Sequence, residues 1–74
     1  LVGDFKNAEN LLRKAIQLMP KDPIVNDHYG DVLWKLNRRI EAQYYWKSAL
    51  NSKDSENEMK INISKKLLKG LDES

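Results

Sequence analysis

The 74-residue chain has no cysteine, one histidine, two prolines and three glycines. Without thiols there is no disulfide framework and no zinc ribbon, although the compartment stays open. A lone histidine, His28, without further ligands makes a poor metal site. Charge of one sign is also missing. Thirteen Lys and Arg face eleven Asp and Glu, for a net charge of +2, and the signs are mixed along the chain. That describes a solvated surface, not a field that steers nucleic acid. No apolar run approaches the ~18 residues that a membrane span needs. No signal peptide is visible, but the chain opens on Leu1 and is expected to be a piece of a longer protein. A targeting segment could lie upstream, so localisation is unknown. There is no glycine-rich phosphate loop, no nucleophile elbow and no cluster of metal ligands. Catalysis is not expected, and no cofactor is. No useful stretch alternates with a period of two, so no sheet is expected.

What is present is a recurrence. Ala8, Leu12 and Ala15 return 34 residues later as Ala42, Trp46 and Ala49, and Tyr29, Gly30 and Leu33 return as Ile63, Ser64 and Leu67. Self-similarity at such a period marks a helical repeat array and points to an interaction module. An all-α chain of about four helices is expected, arranged as antiparallel helix-turn-helix units. A chain this short buries only roughly 60% of its unfolded surface, so its stability should be marginal.

Taken in order, Gly3 suits the left-handed end of an earlier helix, and Asp4 can cap the next one. Apolar residues from Phe5 to Met19 then follow helical spacing until Pro20 stops them. Asp22-Pro23 is a strong helix start, an N-cap followed by a proline suited to the first turn. The second helix presents Val25, Tyr29, Val32, Leu33 and Leu36. Gly30 in its middle costs about 1 kcal/mol against alanine, which implies close approach of a neighbouring helix. Asn37 can supply the left-handed residue that ends this helix. The third helix runs from about Arg39 to Leu50 with a poorly capped start at Arg38. Its inner face is read as Ile40, Ala42, Tyr45, Trp46, Ala49 and Leu50. Ser55 and Glu58 read as a capping box opening a fourth helix. Met59, Ile63, Leu67 and Leu71 give its buried stripe, and Gly70 marks its end. The residues from Leu71 onward should fray.

These residue sets resemble the tetratricopeptide repeat. Tyr29-Gly30-x-x-Leu33 is similar to the core of that repeat's first helix, and Ala42-x-x-x-Trp46-x-x-Ala49 to its second. Ala8-x-x-x-Leu12-x-x-Ala15 with Pro20 is similar to the end of a preceding repeat. The resemblance covers nearly everything from Gly3 to about Leu71, and looks like the C-terminal repeats of bacterial multi-repeat proteins. It implies the second helix of an incomplete repeat over 1–20, one full repeat over 21–54 and a C-terminal capping helix over 55–71, with a frayed tail over 72–74. The chain departs from the pattern at Asn26, where a tryptophan would stand, at Asn37 in place of glycine, and at Asp54 in place of the closing proline.

Several residues invite a functional reading. Asp27 and Asp31 share a helix face with His28 between them. With no evident pocket they suit an acidic patch for a partner's basic group better than acid–base catalysis. His28 reads as a solvated helix-face residue. Trp46 lies on the inner stripe and reads as core. Trp34 lies one step off its stripe; it is either a partner contact or a half-exposed ring packed on the fourth helix. The pairs Arg38-Arg39 and Lys65-Lys66 read as solvated surface. Carried over from the family residue by residue, the concave groove would be lined by Asp27, Asp31, Trp34, Lys35, Ile61, Lys65, Leu68 and Lys69. The aspartates would repel a C-terminal carboxylate, so the resemblance argues against that ligand class. The implied function is a non-catalytic protein–protein interaction scaffold gripping a peptide or a partner helix, its partner unnamed. The alternative is self-assembly. The first helix has no intact cover for Leu11, Leu12 and Ala15, which would then be buried by homodimerisation or helix exchange.

Overall fold

The computed structural model describes residues 2–71, and they form an all-α arrangement of four helices: α1 (Val2–Leu18), α2 (Pro23–Lys35), α3 (Arg39–Leu50) and α4 (Asn57–Lys69). Short turns join them. α2 packs on α3, α1 lies against α2, and α4 against α3. The molecule measures 32 × 32 × 18 Å, a slab about two helix diameters thick. This packing is compatible with a helical repeat.

The strongest local signals fold as their chemistry requires. Asp22 caps α2, its side chain accepting from the N–H groups of Ile24 (2.8 Å) and Val25 (3.2 Å), and Pro23 opens the first turn. The buried Asn26 closes the same corner. Its Nδ2 donates to the carbonyls of Pro20 (3.1 Å) and Asp22 (2.8 Å), a polar bracket where the repeat pattern has an indole. Asn37 ends α2 with φ 63°, and the N–H of Arg38 reaches back to the Leu33 carbonyl at 2.9 Å. Gly30 lies against α3. A Cβ on it would stand 2.5 Å from Trp46 Nε1 and 3.0 Å from the Ala42 carbonyl. That contact explains a glycine in mid-helix.

Two buried clusters make the core. Tyr29, Leu33 and Ala42 form one, with Leu12, Ile16, Trp34 and Tyr45 packed on it. Trp46, Ala49 and Ile63 form the other, with Trp34, Leu50, Met59, Leu67 and Leu71 around it. Trp34 belongs to both. Its ring stacks on Trp46 at 5.3 Å between centroids and so joins the two clusters.

Three local expectations fail. No break falls at Gly3 and Asp4, because α1 runs unbroken through both and Gly3 has no left-handed φ. Ser55 and Glu58 make no capping box. α4 begins after Glu56 with no side-chain cap, and Ser55 is buried, its hydroxyl donating to the Ala49 carbonyl at the end of α3. Ser55 thus serves the helix behind it. Ile40 is not on the inner face of α3 but 85% exposed, two residues before the buried Ala42. Leu71 takes the place on the inner stripe that its spacing gives it, half-buried on the Trp46–Ile63 cluster, while the tail expected at 72–74 lies outside the described residues.

Candidate functional site

The face shared by α2 and α4 is organised by one lysine. Lys66 Nζ donates to Asp27 Oδ1 at 2.8 Å and to Asp31 Oδ1 at 2.9 Å. The same Asp31 oxygen accepts from Trp46 Nε1 at 3.0 Å, so the buried indole has its partner. Spacing explains the geometry. Asp27 and Asp31 are one turn apart on α2, and Lys66 follows Ile63 by one turn on α4, at the border of its buried stripe. Burial opposes the charge on Lys66. The hydrogen bonds and negative charge of Asp27 and Asp31 outweigh that, and its pKa is raised. Lys66 is therefore not a solvated surface residue as the Lys65-Lys66 pair suggested. Asp27 and Asp31 are not a free acidic wall either, because both are engaged inside the molecule. Nor is the surface beside them featureless. A shallow cleft of about 600 Å³ between α2 and the start of α4 is lined by Ile24, Asp27, His28, Glu56, Glu58, Met59, Asn62 and Lys66. His28 is exposed at its rim.

The remaining groove candidates divide by exposure. Ile61 and Leu68 are 57% and 84% exposed, and Lys65 and Lys69 are also exposed. Helical spacing puts Ile61, Lys65 and Leu68 together on the side of α4 opposite Ile63. Lys35 is exposed at the end of α2. Trp34 is half-buried, with the Arg39 guanidinium 4.6 Å from its ring centroid on one side. Gly70 presses on the same indole: a Cβ there would stand 2.8 Å from Trp34 Cε2. Of the alternatives for Trp34, packing against the end of α4 is the contact present.

A second polar centre joins α1 to α2. Glu9 is buried and accepts from the Tyr29 hydroxyl at 2.8 Å, with Arg13 Nε at 3.4 Å and Arg38 Nη1 at 3.9 Å. Arg38 also pairs with Glu41 at 2.5 Å, in the first turn of α3. Burial, and then the hydrogen bond and charge of Glu9, push the Tyr29 phenol up to about 12. On α1, Leu11 is exposed, while Leu12 and Ala15 are half-buried.

Sequence reasoning missed Glu9 and Lys66. For Lys66 a signal existed. A lysine bordering an apolar stripe and two aspartates one turn apart on another helix are complementary half-sites. For Glu9 the sequence offered only Arg13, one turn on; its burial and its Tyr29 donor, twenty residues away, had no local signal. Among the described residues, no group of three or more His, Cys, Asp or Glu is arranged to hold a metal ion, and no helix is long and apolar enough to cross a membrane. Comparison with protein-family models, with curated proteins and with solved structures finds no match in any of the three.

Proposed function

We propose that this chain is a tetratricopeptide-like interaction scaffold, which presents the outer side of α4 to a protein partner and does no bond chemistry. The observation that carries the reading is the division of labour on α4. Its inner residues Ile63 and Leu67 and its border residue Lys66 bind the helix to the body, while Ile61 and Leu68 stand exposed on its outer side. Large apolar side chains held on a fixed helix cost little ordering entropy when a partner covers them.

The experiment is a pull-down from a lysate of the source organism, comparing wild type with an Ile61→Ser, Leu68→Ser variant. Both positions are exposed, so circular dichroism and melting should match wild type. Proteins captured by wild type and lost with the variant support the reading. Identical captures would move the working surface elsewhere.

A second reading, self-association through α1, is favoured by the exposure of Leu11 (68%) and Leu18 (82%) on one side of that helix. Light scattering at high micromolar concentration decides it, and a strict monomer rules it out.

A further inference from the structure

We infer that the partner of the α4 face is an amphipathic helix whose apolar stripe is bordered by carboxylates. This rests on the scaffold reading and adds the partner's chemistry. Ile61 and Leu68 are seven residues apart, so they form one stripe two turns long, which a helix with apolar residues at matching spacing can cover. Lys65 lies between them, and Lys69 follows Leu68 at the border. Both lysines are exposed. Asp27 and Asp31 are each held by Lys66 in the joint between α2 and α4, with side chains 16% and 32% exposed, so their charge is largely met there. The outward charge along the C-terminal half of α4 is therefore positive. Among the described residues, Glu58, exposed in the first turn, is the acidic residue on that border. It gives the site a polarity: the partner's carboxylates align with Lys65 and Lys69, and a neutral or basic residue aligns with Glu58.

Charge argues against a second copy of this chain as the occupant. The exposed stripe of α1, Leu11 and Leu18, has Lys14 beside it, one turn from each. The exposed pair on α3, Ile40 and Tyr44, is bordered by Arg39, Lys47 and Glu41, whose carboxylate Arg38 already holds. Either would set basic side chains against Lys65 and Lys69, and like charges across an interface oppose docking.

The test uses the whole chain and two labelled synthetic helices, read by fluorescence anisotropy. Both carry the same leucine stripe; one is bordered by glutamates and the other by lysines. The glutamate peptide should bind at least about ten-fold more tightly, and added salt should weaken it. A Lys65→Glu, Lys69→Glu variant should reverse the order of the two peptides. Its melting point should stay near that of wild type, because both side chains are exposed. Equal binding of the two peptides, absence of binding, or an order unchanged in the variant would overturn the inference. The scaffold reading fails separately. If lysate capture still depends on Ile61 and Leu68 while the glutamate peptide shows no preference, the surface stands and only the partner's chemistry is wrong.

Discussion

Gly30 and Trp46 touch so closely that no side chain fits between them: a Cβ on Gly30 would stand 2.5 Å from the indole Nε1. Trp46 cannot yield, because it is fully buried and its N–H is held by Asp31. Alanine would gain about 1 kcal/mol of helix propensity at this position. Overpacking should outweigh that, and Gly30→Ala is expected to lose about 1–3 kcal/mol net. Urea unfolding measures it. A stabilised variant would mean that α2 and α3 separate more easily than their packing implies.

Lys66→Met keeps the apolar stem of the side chain and removes its charged end. It leaves Asp27 and Asp31, both partly buried, to repel each other without a shared donor. We expect a loss of about 1–3 kcal/mol, below that for a fully buried pair because water still reaches the site. An Asp27→Asn, Asp31→Asn background should shrink the effect of Lys66→Met. Full additivity of the two changes would show that the contact carries no coupling.

The folded chain should lose stability at alkaline pH. The Tyr29 phenol is raised to about 12 in the fold, so its contribution is complete below about pH 10, where the unfolded phenol is still neutral. Between about pH 10 and 12 the unfolded state gives up its proton and the folded state does not, so stability falls. Lys66 acts in the same direction. Its folded pKa is raised, and what it contributes is present below its ordinary value near 10.5 and lost as pH rises through the folded value. Tyr29→Phe should flatten the alkaline fall measured by urea titrations at stepped pH. An unchanged slope would assign the whole effect to Lys66.

Gly70→Ala should act locally. Gly70 has φ 72°, where a side chain is strained, and its Cβ would meet the Trp34 ring. The end of α4 is expected to lift from Trp34, shifting tryptophan emission to the red and raising hydrogen exchange over the last turn of α4. The amides of α2 and α3 should keep their protection. Uniform loss across all four helices would show that α4 and the rest unfold together.

How far the sequence could be read depended on distance along the chain. The Asp22-Pro23 start and the Asn37 stop were legible, because each is set by a residue and its neighbours within a few positions; Gly30 showed that a helix comes close, but not that Trp46 of α3 is what meets it. The inner stripe of α4 was legible from its four-residue spacing. Ser55 was misread because its hydroxyl had two carbonyl or amide neighbourhoods within reach, and the better buried partner, Ala49, lay behind it and not ahead. Ile40 was misread because apolar character does not fix which side of a helix end turns to solvent. At the candidate site, the exposure of Ile61 followed from its position off the stripe. The engagement of Asp27 and Asp31 did not, since their partner lies 39 and 35 residues away and only the fold brings it near.

The two polar centres have a joint consequence. Each binds to α2, Glu9 through Tyr29 and Lys66 through Asp27 and Asp31. Apolar stripes alone tolerate slippage, since sliding a helix by one turn, about 5.4 Å, brings similar residues into similar places. The polar contacts do not tolerate it. A one-turn slip of α4 would part Lys66 from at least one aspartate, and a slip of α1 would leave Glu9 buried without the Tyr29 hydroxyl. α2 thereby acts as a ruler with marks on two sides, which sets the axial register of the helices flanking it.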